Sequence, residues 1–213
     1  MSTAIDSLTP ADHDAATELL VDAFFDNPAH VYILPDEATR RRRLRWLMRR
    51  NLAVQHALGR GDCLRSPQPG LGLDAMSFCQ PPGSAALGGG LLVRHGFGLA
   101  PLRIGVSALR RLLEVVERIE AQRLRVLAGT DAWTLHDMVV RKELRGSGVG
   151  RRLLKAQLER SVDPSGRAAV LATQRPANVR FYQQQGFEVA SETSLGDRRT
   201  RFLNWILLRP AAH

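Results

Sequence analysis

At 213 residues and 23.6 kDa, with 44% hydrophobic residues, the chain can bury one sizeable core, which excludes a disordered, collagenous or disulfide-stapled miniprotein class. It has no uninterrupted apolar run of about eighteen residues, no basic-then-apolar leader at residues 1–10 and only two cysteines, Cys63 and Cys79; the expectation is a cytoplasmic protein without a membrane span, secretory signal or metal knuckle. The net charge of +9 and pI near 11 favour polyanions in general, but all 30 basic residues except Lys142 and Lys155 are arginine, a skew that a GC-rich coding bias explains without any binding role.

In chain order, a short strand is expected around Thr3–Leu8. Thr9-Pro10 then opens a helix to about Phe25, with Thr9 as N-cap and Pro10 at the first helical position. Ala16, Leu19, Leu20, Ala23 and Phe24 give it an apolar stripe, and Asn27-Pro28 is expected to end it. A second helix is predicted over Glu37–Leu58, with Leu44, Leu47, Met48 and Leu52 on one face and arginines 40–43, 45, 49 and 50 filling the rest. Residues 61–80, broken by Pro67, Pro69 and Gly70, read as a hairpin whose second strand is Leu71–Cys79 and which Pro81-Pro82-Gly83 stops. Gly88-Gly89-Gly90 reads as a flexible stretch, and Leu102, Val106, Leu109, Leu113, Val116 and Ile119 predict an amphipathic helix from about Pro101 to Leu124.

The informative region begins at Asp131. Ala132–Val140 reads as a strand ending in Met138-Val139-Val140, followed by Arg145-Gly146-Ser147-Gly148-Val149-Gly150 and a helix over Arg151–Arg160. Ala168–Thr173 is a buried strand, Pro176–Gln185 a helix capped by Gly186, and Phe187–Val189 with Arg201–Leu208 a closing antiparallel pair. A strand, glycine loop and helix in this order present free N–H groups at the positive end of a helix dipole, a cradle for a pyrophosphate. The dinucleotide fingerprint would need glycine where Arg151 stands, and the Gly-Lys-Ser/Thr of a nucleotide-triphosphate loop is missing. Taken alone, the loop is also compatible with a tight turn and no ligand.

Met138-Val139-Val140, Arg145-Gly146-Ser147-Gly148-Val149-Gly150 and Leu153-Leu154 resemble the acetyl-CoA-binding motif of the GCN5-related N-acetyltransferase (GNAT) superfamily, whose loop reads Gln/Arg-x-x-Gly-x-Gly/Ala. Asn178-Val179-Arg180-Phe181-Tyr182, with Gly186-Phe187 behind it, is similar to the next motif of that family. The stronger resemblance covers about residues 131–209; Pro81-Pro82-Gly83 and the helix near 101–124 are similar to a bacterial subgroup. The resemblance implies an α/β (α+β) acyl-CoA N-acyltransferase fold: a mixed, mostly antiparallel splayed sheet flanked by helices. It implies a single domain over 1–213, with the acetyl-CoA motif region at 131–190 and acceptor-side helices within 10–60.

The function it implies is acetyl transfer from acetyl-CoA, the acyl-donor substrate, to a primary amine by direct attack in a ternary complex, with no metal. The backbone of Met138, Val139 and Val140 would pair with pantetheine. Arg145, Gly146, Ser147, Gly148, Val149, Gly150 and Arg151 would hold the pyrophosphate, with Asn178 and Phe181 also on the cofactor side. Tyr182 stands at the family position for the acid that protonates the leaving thiolate, and a packed tyrosine is the alternative. The strand Ala168–Thr173 lacks the glutamate many relatives use as base. Strict alternation would put Thr134 and His136 on one face with Met138, and Trp133, Leu135 and Asp137 on the other. His136 is the first candidate base, ahead of Asp137 and a water relay, although an ordinary hydrogen-bonded histidine fits equally. Arg175 replaces an asparagine common in relatives, and Lys142 a proline. Expected partners are a small-molecule or peptide amine and no membrane, with the protein a monomer or homodimer. The competing classes are a non-catalytic acyl-CoA sensor and, disfavoured, a nucleic-acid binder using Arg40–Arg50.

Overall fold

The computed structural model describes residues 5–68, 70–84 and 89–211. It opens on strand β1 (Asp6–Ser7), within the expected Thr3–Leu8, of which Thr3 and Ala4 lie outside the described residues. Thr9 caps a single 3-10 turn (Pro10–Asp12), its N–H and hydroxyl donating to the Asp12 carboxylate at 2.8 and 2.7 Å, before helix α1 (His13–Phe24) begins. Asn27-Pro28, read from sequence as a stop, is the start of another helix, α2 (Pro28–Ile33). Asn27 Oδ1 accepts the Ala29 N–H at 3.0 Å, and Pro28 occupies a first-turn position that needs no donor.

Helix α3 spans Glu37–Leu58 as predicted. Its arginines are engaged with the helix beside it: Arg41, Arg45 and Arg49 pair with Asp22, Glu18 and Asp14 of α1 at 2.8, 2.5 and 3.0 Å. Buried Arg40 donates to the Leu34 and Pro35 carbonyls. The expected hairpin follows as β2 (Arg60–Arg65) and β3 (Leu73–Gln80), in which Cys63 and Cys79 are buried free thiols.

The segment after β3 departs most from expectation. Gly88 lies outside the described residues, but Gly89-Gly90, read as flexible, begins helix α4 (Gly89–Arg94). A 3-10 turn (Phe97–Leu99) and α5 (Ala100–Arg103) precede α6 (Val106–Leu127). The single helix expected from Pro101 is broken at Gly105, whose φ of +91° lies outside any helix. Then come β4 (Ala132–Val140), α7 (Val149–Gln157) with a π-helical turn at Leu158–Val162, β5 (Ala168–Thr173), α8 (Pro176–Gln183), β6 (Glu188–Gly196) and β7 (Arg201–Arg209). Strand β6 runs well past the expected Val189 because its Ser191–Ser194 portion is polar and carries no apolar run to betray a strand.

The seven strands form one sheet in the order β1-β2-β3-β4-β5-β7-β6, antiparallel except at β4–β5. One face is covered by α1, α2, α3, α5 and α6 over Leu20, Leu44, Leu52, Met76, Phe78 and Ile104; the other by α7 and α8 over Leu154, Leu171, Tyr182, Phe187 and Leu207. The parallel pair holds from Ala132↔Ala168 to Leu135↔Leu171 and no further. Beyond it β4 stays with β3 (Val139↔Met76, Val140↔Ala75), while β5 stays with β7 (Ala172↔Ile206, Thr173↔Trp205). The sheet opens between them.

Asp12 joins three elements: it closes the Thr9 cap and its carboxylate pairs with Arg65 of β2. That guanidinium, reinforced by Thr9, holds the Asp12 carboxyl at about 2, below its usual 3.8. A depressed carboxyl contributes stability above its unfolded value and loses it as pH falls toward the folded one. Asp12→Ala is therefore expected to cost about 1–2 kcal/mol at pH 7, with the gap from wild type in chemical denaturation narrowing between pH 4 and 2.

Candidate active site

The opening in the sheet traces to one residue. Asp137 has φ +51°, unusual for a non-glycine residue, and the β3–β4 register slips there: Phe78 faces His136, yet Met76 faces Val139. This is a bulge, and it overturns the strict alternation expected from sequence. His136 and Asp137 both turn to the face of α3 and α6, since Asp137 Oδ2 accepts from Asn51 of α3 at 2.6 Å and His136 feels Glu120 and Arg123 of α6. Met138 turns to the opposite face, where the Tyr182 hydroxyl meets its Sδ at 3.4 Å. His136 thus does not share a face with Met138.

A cleft of about 500 Å³ occupies the opening. Of the residues singled out from sequence, Met138, Val139, Val140, Arg145, Gly146, Gly148, Gly150, Arg151, Asn178, Phe181 and Tyr182 line it. Ser147, Val149 and His136 do not: Ser147 is exposed with its hydroxyl on the Leu144 carbonyl at 2.6 Å, and Val149 is buried beside Leu153. Phe24 and Asn27, which no motif in the sequence marks as site residues, close the far wall together with Arg175.

The glycine loop is built in two ways. Gly146 and Gly148 have φ of +82° and +85°, and a Cβ on either would meet no heavy atom within 4 Å, so they serve backbone shape and leave open space above it. At Gly150 a Cβ would lie 3.3 Å from Val140 Cγ2 and 3.7 Å from Phe181 Cζ; this glycine brings α7 close to β4. The Arg145 and Ser147 N–H groups are used internally, on the Lys142 and Leu144 carbonyls. Among the described residues those of Gly146, Gly148, Val149, Gly150 and Arg151 meet no backbone acceptor, and the first helical bond of α7 is Arg152 N–H to Gly148 O at 3.0 Å. Five donors at a helix N-terminus, with Arg151 and Arg145 alongside, suit a doubly charged pyrophosphate. The residues present therefore fit the phosphate end of coenzyme A.

At the other end of the cleft Tyr182 is 7% exposed, and burial raises its hydroxyl above the ordinary tyrosine range, so it stays protonated near neutrality. Asn178 Nδ2 donates to Thr173 Oγ1 at 3.0 Å and ties α8 to the end of β5. Burial, with a smaller contribution from Arg123, lowers His136 to about 4, and burial alone does the same to His30, which stacks on Phe24 at 4.9 Å. Both imidazoles are neutral near pH 7. Asp137 moves the other way, to about 6, because burial outweighs its hydrogen bond from Asn51.

A run of amides lies beneath this end. Gln122 of α6 accepts from Asn204 Nδ2 at 2.8 Å, Asn204 Oδ1 accepts from Gln174 Nε2 at 2.6 Å, and Gln174 Oε1 accepts from Asn27 Nδ2 at 3.2 Å. Gln122, Asn204 and Asn27 are buried. Nothing local in the sequence marks these four, which come from distant elements.

Residues 120–204 match a family model described as an acetyltransferase (GNAT) domain. No curated protein matches the sequence. Among solved structures, the chain is similar over its whole length to "histone acetyltransferase HPA2 and related acetyltransferase" from Corynebacterium glutamicum, at 19% identity and TM-score 0.64, covering 98% of that chain. It is similar to arylalkylamine N-acetyltransferase 2 from Aedes aegypti at 12% identity and TM-score 0.59, over 97% of this chain and 98% of that one. The structure of yncA from Salmonella typhimurium with its cofactor acetyl-CoA aligns at 15% identity and TM-score 0.56, over 100% of this chain and 96% of that one.

The Asp137 carboxyl can be tested apart from any reaction. Its folded value lies above the unfolded one, so it favours the folded state below about pH 4 and that contribution is lost as pH rises through about 6. Asp137→Asn keeps an acceptor for Asn51 and suits the left-handed backbone. It is expected to stabilise the fold by about 1–3 kcal/mol at pH 8, an increase in melting temperature that vanishes when the two proteins are compared at pH 4.

Proposed function

We propose that this chain, whose residues 120–204 match a GNAT acetyltransferase domain model and whose fold is similar to that of solved acetyltransferases, is an acyltransferase that transfers acetyl from acetyl-CoA to a primary amine of a small molecule or peptide, by direct attack within a ternary complex. The observation that carries this reading is the set of unpaired amides at Gly146, Gly148 and the first turn of α7, opening into the same cleft as Tyr182. The amides hold the pyrophosphate, which leaves the pantetheine arm to run along β4 toward the bulge. There Asp137 and Met138 have no partner on β3, and residues past Leu135 have none on β5. Their backbone groups are free to pair with the pantetheine amides and to donate one N–H to the thioester oxygen.

Acetyl-CoA supplies an activated carbonyl; the chain supplies position and proton traffic. The amine nitrogen attacks the thioester carbon, the C–S bond breaks, and Tyr182 gives its proton to the departing sulfur. Neither Asp137 nor His136 lines the cleft, so the proton shed by the amine passes through water to one of these two side chains on the bulge. Asp137, at about 6, is the better matched acceptor near neutrality, and His136, at about 4, is the weaker base. Arg145 and Arg151 hold the cofactor's phosphates, and Asn178 sets α8 so that Tyr182 faces Met138.

Calorimetry with acetyl-CoA is expected to show binding to wild type and a loss of at least about tenfold in Gly148→Trp, whose side chain would fill the space above the loop. Tyr182→Phe is expected to bind acetyl-CoA as wild type does while thiol release with an accepted amine falls roughly 100-fold. Binding without thiol release across a broad panel of amines would favour the sensor reading.

The pH profile identifies the base. Wild-type kcat/KM is expected to rise through about pH 6, and Asp137→Asn to lower the plateau and remove that limb, whereas His136→Gln retains it. A limb that survives in Asp137→Asn assigns the proton elsewhere.

A further inference from the structure

Seven of the ten large apolar side chains exposed among the described residues fall between Val93 and Leu124. The extreme cases lie on α4, α5 and the start of α6: Leu102 is 84% exposed, Val106 72% and Val93 66%, with Leu99 between them at 47%. The segment is two-sided. Ala100, Ile104 and Ala108 are fully buried against the core, while among the described residues the outward side chains remain exposed.

Over α4, α5 and the first turns of α6 the chain's own charge is one-signed, the acids of α6 beginning at Glu114. No aspartate or glutamate occurs from Ala75 to Leu113. Arg94, Arg103 and Arg110 are exposed and take part in no ion pair among the described residues. The Arg50 guanidinium packs against Gly96 and adds to the same side. This contrasts with α3, whose Arg41, Arg45 and Arg49 are matched by carboxylates of α1.

We propose that the outward face of α4, α5 and the first turns of α6 docks on an anionic lipid surface, with Leu99, Leu102 and Val106 entering the headgroup boundary and Arg94, Arg103 and Arg110 pairing with lipid phosphates. No described helix is long and apolar enough to cross a membrane; the segment lies on the surface instead. The sequence, with no apolar run long enough for a span, predicts no membrane partner; an interfacial face broken over three helices leaves no such run. A second copy of the chain fits the face less well, since two acid-free basic patches would meet. Nucleic acid fits less well too, because leucine and valine cannot stack on bases. Phosphatidylglycerol-type headgroups satisfy both the charge and the apolar side chains. The docking is independent of the acetyl-transfer reading.

The test is cosedimentation of the full chain with vesicles of phosphatidylcholine containing phosphatidylglycerol. Binding is expected to those vesicles and not to phosphatidylcholine alone, and it should weaken as salt is raised. The double variant Leu102→Asp/Val106→Asp and the triple variant Arg94→Glu/Arg103→Glu/Arg110→Glu should each lower partitioning by at least about tenfold. Both should keep the wild-type melting temperature, and calorimetry with acetyl-CoA should be unchanged. The proposal is overturned by absence of binding to the anionic vesicles at low salt, or by binding that neither variant weakens. It is equally overturned if the chain forms a dimer that the same substitutions disperse and binds no vesicles.

Discussion

Two parallel strands stay paired only while both keep the same period, and Asp137 ends that condition in β4. One residue with φ +51° lets two residues of β4 face one position of β3, so the strand bends and follows β3 while β5 follows β7. The opening between them leaves the cleft at the middle of the sheet. The same bulge turns His136 and Asp137 to the side of α3 and α6 and Met138 to the side of Tyr182. Holding a non-glycine residue there and burying its carboxyl both work against stability, of the order of 1–3 kcal/mol for each, and the surrounding sheet offsets them. Such a cost is common where a site must be shaped.

Much of the fold is legible in the letters. Glu37–Leu58 is a helix with the predicted bounds because Asp36 caps it, its Oδ1 accepting the Ala38 N–H, and Leu44, Leu47, Met48 and Leu52 form an unbroken stripe down to Gly59. The strand, glycine loop and helix of β4 and α7 are legible for a similar reason, each step having its own local chemistry. The failures are physical too. Asn27-Pro28 has the composition of both a stop and a start, and only the contact with Ala29 decides. Strand β6 is mostly exposed and is held by β7 rather than by an apolar face of its own.

Within the candidate site, the glycine loop and Tyr182 that line one cleft are legible because their residues lie within one short stretch of chain. Asn51, Gln174 and Asn204 are not, nor is the link from Asn27 to Gln174, since each of these contacts reaches a partner tens of residues away. The bulge is hidden as well: Leu-His-Asp-Met contains no glycine or proline, and period-two alternation gives the wrong face for His136 and Met138. The arginine run of α3 shows the same limit. As letters it resembles a polyanion-binding stretch; as structure, its Arg41, Arg45 and Arg49 are rungs between two antiparallel helices.

The amide run Gln122–Asn204–Gln174–Asn27 has a mechanical meaning. Every member is neutral and each hydrogen bond fixes the orientation of the next, so no proton or counter-ion can loosen it one link at a time. Helix α6 and the junction of α1 with α2 are thereby fastened across the β5–β7 side of the opening like the two jaws of a clamp. A displacement of α6 would register at the wall of the cleft without any change in charge.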